Sequence, residues 1–297
     1  GDATLFTGPD FTILVDAGRH DRNDVVPYLL SAGVDTIDLL IGTHPHADHI
    51  GQFPQVLTTF PVTEVWMSGD THTTRTFERA IDAILASDAG YHEPRAGETY
   101  AIGQADLTVI NPDRLTGDFH EGSISIRLQF GEIAFILTGD AESQTEAAMI
   151  SRGHQLSAQV LKLGHHGSRT SSSMPFLQAV RPEVAIYSAG QGNTYGHPHD
   201  EVLQRLAGLG IPVYGTDAHG TIRLITDGTT VQLETQFGAE VGETLHQPAQ
   251  DGCQPGQVDI NSASRDQLMR IQHIGPARSE DLIRLRPFSS VDDLVRI

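Results

Sequence analysis

The feature that most constrains this chain is the apolar run Ile37-Asp38-Leu39-Leu40-Ile41, followed after Gly42 and Thr43 by His44-Pro45-His46-Ala47-Asp48-His49. A nearly continuous apolar run of this length reads as a strand buried on both faces, as in a parallel sheet covered by helices. Its carboxyl end then delivers three imidazoles and a carboxylate to one loop. Neutral imidazole and carboxylate are ligands that divalent zinc prefers, at about 2.0–2.2 Å. His44 and His46 alternate along the chain and point one way. Asp48 and His49, at the start of the next helix, are placed to serve a second ion.

Further strands are expected at 11–16, 64–67, 107–110, 123–130, 133–137, 160–163, 184–187, 213–215, 221–225 and 230–234, and helices at 25–32, 73–87, 141–151, 175–180 and 201–209. Strands interleaved with helices predict sheets covered by helices. Several strand ends carry residues able to bind metal. Thr138-Gly139-Asp140 follows one strand, Gly164-His165-His166-Gly167-Ser168 follows another, and His120 precedes a third. A carboxylate after a glycine at a strand end is well placed to bridge two cations. A single such residue is more often structural; together with the upstream loop the set is specific.

Composition narrows the classes. No stretch approaches the roughly 18 apolar residues of a membrane span. The single cysteine, Cys253, excludes an internal disulfide. The chain carries 38 acidic and 19 basic residues, a formal charge of −19. Residues 256–297 hold six of each sign, so the whole excess lies in the first part, which points to two units. An acidic chain repels nucleic acid and anionic membranes, and solvation is the plain reading of the surplus. Lys162 is the only lysine. No targeting segment is visible ahead of the first strand. Residues 238–257, rich in Gly, Glu, Gln and Pro, read as a linker between a domain at 1–237 and a small unit at 258–297.

The order of these motifs resembles the metallo-β-lactamase superfamily over about residues 1–235. Within it, Gly1-Asp2-Ala3, Leu137-Thr138-Gly139-Asp140-Ala141-Glu142, Leu163-Gly164-His165-His166-Gly167-Ser168 and Tyr195-Gly196-His197-Pro198-His199 resemble the hydrolase domain of the ComEC family of DNA-uptake proteins. That family reads Val-Gly-Gln ahead of Gly-Asp-Ala, so the chain is expected to begin within a motif. The ComEC membrane channel has no counterpart here, and the resemblance is to the domain. It implies an α/β fold, a four-layer αβ/βα sandwich with metals at the sheet edges. It implies a first site of His44, His46 and His120, a second of Asp48, His49 and His165, and Asp140 as the bridge. The position matching His120 is commonly Asn in ComEC-like sequences. Two divalent ions, zinc or manganese, would acidify a water and neutralise charge on a phosphoryl oxygen. Asp48 is expected to orient that water and His197 to protonate the leaving alkoxide. Ser123, Ser168 and His219 are expected to line the pocket, and Asp16 to hydrogen-bond the metal loop from behind.

After the linker, Val258-Asp259-Ile260-Asn261-Ser262-Ala263-Ser264 opens a helix with a Ser or Asn cap, a second helix is expected at 278–285, and a third starts at Pro287-Phe288. His273-Ile274-Gly275-Pro276-Ala277-Arg278 lies between the first two. This resembles the helix-hairpin-helix module of the ComEA family of DNA receptors. The resemblance implies that backbone N–H groups around Ile274, Gly275 and Ala277, with Arg278, hold a DNA phosphate. The hairpin's usual first glycine is His273 here.

The function expected is a metal-dependent phosphodiesterase acting on DNA. One alternative is a hydrolase of a small ester, lactone, phosphorylcholine or β-lactam, since one metal centre runs each chemistry. Another is a non-catalytic DNA-binding protein. DNA is the expected partner, and the sequence names no protein partner. Resemblance to DNA-uptake proteins favours an extracytoplasmic or secreted location.

Overall fold

The computed structural model describes residues 1–238, 243–246, 261, 263–269, 271, 274–286 and 288. Contacts divide the chain into two units, Gly1–His246 and Gln247–Ile297.

In the first unit, β1 (Thr4–Thr7), β2 (Thr12–Val15), β3 (Ile37–Gly42), β4 (Val62–Met67) and β5 (Gly90–His92) form one sheet in that order. β1 and β2 are antiparallel and the rest are parallel. Helices α1 (Val25–Ser31), α2 (Phe53–Thr59) and α3 (Arg75–Ala86) connect its strands. A second sheet runs from β6 (Thr99–Ile102) through β7 (Ala105–Asn111), β8 (Ser125–Phe130), β9 (Ile133–Leu137), β10 (Val160–Lys162) and β11 (Val184–Tyr187) to β12 (Val213–Gly215). Its first four strands are antiparallel and its last four parallel. Helices α4 (Ser143–Ser151), α5 (Met174–Val180), α6 (Asp200–Gly208) and α7 (Thr216–His219) accompany it. β13 (Ile222–Thr226), β14 (Val231–Thr235) and β15 (Glu243–His246) form an antiparallel third sheet.

Alternation along the strands sorts side chains into layers. Ile13, Val15, Leu39 and Ile41 meet Leu107, Ile126, Phe135 and Leu137 in a core between the two large sheets. Leu14, Leu40 and Val65 face the other way and pack on Leu29, Phe53, Val56 and Ile84 of α1–α3. Ala134, Ile136 and Leu161 likewise pack on Met149, Phe176, Leu177 and Val202 of α4–α6. The result is the expected four-layer αβ/βα sandwich. Strands covered on both faces have little room for polar residues, which is why β3 and β9 read as apolar runs. Each fully buried Leu, Ile or Phe contributes roughly 1.5–3 kcal/mol of transfer free energy.

The stretch 238–257, expected as a linker, contains a strand. Glu243 pairs with Leu233, Thr244 with Gln232 and His246 with Val231, so the first unit extends to His246 rather than to 237. The free edge of β14 offers unpaired backbone groups, and this short run satisfies them. In the second unit, α8 (Arg265–Leu268) and α9 (Pro276–Leu285) pack Leu268 and Leu282 with Ala263 and Phe288. The third helix expected after Pro287, and the His273 position, lie outside the described residues.

Candidate metal centre

The metal loop leaves β3 and is anchored from β2. Asp16 adopts a left-handed conformation (φ 60°) that a short polar side chain tolerates. Its carboxylate accepts from the Thr43 backbone N–H at 2.8 Å and from Thr43 Oγ1 at 2.9–3.0 Å, and it lies 2.7 Å from His49 Nδ1. This is the supporting role expected of Asp16. The backbone N–H of Ile124 donates to the Thr43 carbonyl at 2.8 Å, which explains why β8 begins at Ser125 and not at 123.

Asp140 is delivered by the turn after β9. Gly139 has φ +52°, and a Cβ there would lie 2.2 Å from Ser123 Oγ, so the turn needs glycine. Ser123 Oγ accepts from the Asp140 N–H at 3.1 Å. The carboxylate is buried and four imidazole Nε2 atoms surround it. His49 is 3.4 Å from Oδ1, and His44, His165 and His166 stand 3.5, 3.9 and 3.9 Å from Oδ2. Each ring is held at its other nitrogen. Nδ1 of His44 lies 3.1 Å from Thr43 Oγ1, Nδ1 of His49 meets Asp16, and Nδ1 of His165 lies 3.2 Å from Glu142 Oε1. Nδ1 of His166 donates to the Ser188 carbonyl at 3.1 Å, with Asp2 Oδ1 alongside at 3.3 Å. An outer acceptor on one nitrogen, with Nε2 turned toward a shared carboxylate, is the arrangement of metal-binding histidines.

The donor set fits divalent cations. His44, His46 and Asp140 bring ligand atoms within 4.8 Å of one another; so do His120, Asp140 and His165, and so do Asp48, His49 and His166. Two ligands at about 2.0–2.1 Å from one tetrahedral ion stand about 3.4 Å apart. The separations of 3.4 Å for His49 and Asp140 and 3.3 Å for His166 Nε2 and Asp48 Oδ2 match that edge. His49 Nε2 and Asp140 Oδ1 are buried with no hydrogen-bond partner among the described residues, a costly state that a cation would relieve.

One placement differs from the sequence expectation. His166, not His165, stands with Asp48 and His49; His165 joins His120 and Asp140. His165 and His166 both have positive φ, 48° and 56°. Two successive left-handed residues break the strand's alternation, so both rings reach Asp140. His120 lies against His46 and His165, with ring centroids 5.5 and 4.6 Å away.

The charges follow from this packing. Burial raises the Asp140 carboxyl, but His49, His44 and His166 more than offset it and hold it well below the carboxylate range. Burial and then His49 press His44 far below its usual value, leaving the neutral imidazole that ligation requires. Burial opposes protonation of His166, yet Asp2, Asp48 and Asp140 push it up to about 9. His197 stacks on His166 at 6.1 Å and on Tyr195 at 5.8 Å. Burial, then His199, His165 and His166, lower it to about 4. At neutral pH it is a neutral ring beside the cluster.

The three residues expected to line the pocket have the following partners. Ser123 is buried behind Asp140, and Ser168 is buried with its Oγ 3.0 Å from Thr170 Oγ1. His219 folds back on its own turn, Nδ1 lying 3.0 Å from the Gly215 carbonyl oxygen. The sequence reading gave no site role to Asp2, Glu142 or Lys162, and named His166 as a candidate ligand without assigning it to a site. Asp2 carries the sole lysine's ion pair, Nζ to Oδ2 at 2.8 Å. A lone lysine inside an apolar strand was the available signal.

Residues 1–191 match the family model of the metallo-beta-lactamase superfamily. The chain belongs to this superfamily. Residues 254–297 match a helix-hairpin-helix motif, so this is a metallo-beta-lactamase superfamily hydrolase that carries such a motif. In that motif Gly275, Ala277 and Arg278 are exposed at the first turn of α9, while Ile274 packs against the small core. The chain is similar to ComE operon protein 3 of Bacillus subtilis (strain 168), 32% identical over 67% of this chain and 26% of that protein. It is also similar to competence protein ComA of Neisseria gonorrhoeae, 32% identical over 71% of this chain and 29% of that one. The chain thus spans between a quarter and a third of the length of these curated relatives. Among solved structures, CmlA, a diiron beta-hydroxylase from Streptomyces venezuelae, superposes with a TM-score of 0.51 at 16% identity. That match covers 71% of this chain and 50% of CmlA, and it shows a shared fold. Among the described residues no helix is long and apolar enough to cross a membrane.

Proposed function

We propose that the protein is a phosphodiesterase that cuts DNA at a pair of divalent ions, zinc or manganese, and grips its substrate through the helix-hairpin-helix. The observation that carries the hydrolytic part is the convergence of four Nε2 atoms on the buried Asp140 carboxylate beside Asp48. The DNA part is supported by the carboxyl-terminal motif and by relatives named for competence and recombination. His44, His46, His120 and His165 would hold one ion, Asp48, His49 and His166 the other, with Asp140 shared. Divalent ions bound there lower the pKa of water toward about 7 and neutralise charge on a phosphoryl oxygen.

The chain's own residues do the rest. Burial raises the Asp48 carboxyl, but His166 and His49 lower it further, so it stays ionised. It accepts a hydrogen bond from the attacking water and orients it. Neutral His197 hydrogen-bonds the substrate without adding charge. Backbone N–H groups at the start of α9 hold a phosphate away from the reacting one. An extracytoplasmic location belongs to the same proposal.

The acidic surface of the first unit favours a second reading, a small ester or lactam substrate. Incubating the full chain with single- and double-stranded DNA and zinc or manganese separates the two. Cleavage that disappears in Asp140→Asn supports the nuclease. Turnover of a small ester by protein loaded with both ions, with DNA left intact, would sink it.

A further inference from the structure

Asp2 is tied into the centre at four points. Its backbone N–H donates to the Asp48 carbonyl at 3.0 Å, and its own carbonyl accepts from Gly18 N–H at 2.7 Å. Its Oδ2 accepts from Lys162 Nζ at 2.8 Å, and its Oδ1 stands 3.3 Å from His166 Nδ1. The contact with the metal loop is close: a Cβ on Gly1 would lie 2.3 Å from the Asp48 carbonyl oxygen. Both Asp2 and Lys162 are buried. A buried carboxylate needs a compensating charge, and breaking such a pair leaves an uncompensated ion.

We propose that Lys162 and Asp2 form a buried positioning pair that sets the ring of His166 so that its Nε2 serves one metal ion selectively. The Ser188 carbonyl accepts the Nδ1 proton and the Asp2 carboxylate, 3.3 Å away, favours it there by its charge, which leaves the Nε2 lone pair facing Asp48 and Asp140. Lys162 neutralises Asp2 at Oδ2, while Oδ1 is buried without a hydrogen bond among the described residues and faces His166. Asp2 and Lys162 touch neither substrate nor reacting atoms; they act through His166. The inference rests on the two-ion reading of the centre.

The test uses the full chain, stripped and reloaded with zinc, in wild type and in Asp2→Asn, Lys162→Met and Lys162→Arg. Stepwise zinc affinities come from competition with a chromophoric chelator. The ligated nitrogen of His166 is read by its 15N shift. Asp2→Asn keeps the shape but presents an amide to Nδ1, and Lys162→Met frees Asp2. Each is expected to weaken one zinc step by about 10–100-fold, the usual cost of losing an outer partner, and to leave the other step unchanged. Lys162→Arg is expected to restore most of the loss. In zinc-loaded wild type the metal shift belongs to His166 Nε2, a result that needs no variant to fold. A metal shift on Nδ1 instead, wild-type affinity at both steps in Asp2→Asn, or equal weakening of both steps would each overturn the pair's selective role. Wild type that binds fewer than two ions would overturn the two-ion reading itself, and the inference with it.

Discussion

Nε2 of His49 stands 3.4 Å from Oδ1 of Asp140, and both atoms are buried without a hydrogen-bond partner among the described residues. Two groups that each lose water on folding and are left without a hydrogen bond mark where a cation belongs. Zinc at a hundredfold excess over Kd should stabilise the wild type by about 2.7 kcal/mol, which is roughly 5–10 °C in Tm for a unit of this size. Asp140→Asn should show no zinc-dependent rise in a thermal melt, and its hydrolytic activity should be lost. A full zinc shift in that variant would contradict the assignment.

The separation of His165 from His166 gives a pairing prediction. His120→Ala and His165→Ala should lower zinc stoichiometry at the same step, and the double variant should cost little more than the worse single one. His166→Ala should affect the other step and should pair with His49→Ala. Elemental analysis with stepwise competition reads both. Additive losses from His120→Ala and His165→Ala would put them on different ions.

The pH dependence has a definite sign. Burial opposes the charge on His49 and His166, but their carboxylate neighbours raise both, His166 to about 9. In metal-free protein their contribution to stability is fully present below the unfolded histidine pKa of about 6.5. The His166 share is lost as pH rises through about 9. Zinc must displace those same protons. Apparent zinc affinity should therefore climb between these limits while metal-free Tm falls, and zinc addition should release protons into unbuffered solution. A zinc affinity independent of pH across this window would count against it.

The boundary at His246 is also testable. A chain ending after His246 keeps β15 on β14 and should stay monodisperse, with DNA affinity weakened and its salt dependence reduced. A chain ending after Phe237 bares the β14 edge, behind which Val231 and Leu233 are buried, and should associate or aggregate. Light scattering and a salt titration of DNA binding check the pair. Equal behaviour of the two truncations would show that β15 does not protect the edge.

The parts of this fold that were legible share one cause: they are local. β3 and β9 are covered on both faces, so their apolar runs stand out, and β9, β11 and β12 match the ranges read from the sequence. The metal loop declares itself because His44, His46, Asp48 and His49 are nearly adjacent. β1 and β6 are only partly buried and carry weak patterns, and α2 has Pro54 in its first turn and seven residues. Asp2 could not be read because its meaning comes from Lys162, 160 positions away. The partition of His165 and His166 depends on two left-handed residues that no apolar period reports. Ser123 carries the right side chain for a pocket wall, but the tight turn at Gly139 directs it to the Asp140 amide instead.

The tie between Asp2 and His166 spans nearly the whole distance between the first strand and the end of β10, and so crosses both halves of the sandwich. Contacts of such long sequence separation form late, after the loop-closure cost of bringing the halves together has been met. A nascent or partly folded chain therefore holds the peptide around His44 but not the completed centre. Hydrolytic capacity is coupled to completion of the fold, and an unfinished molecule carries the metal loop without the assembled centre.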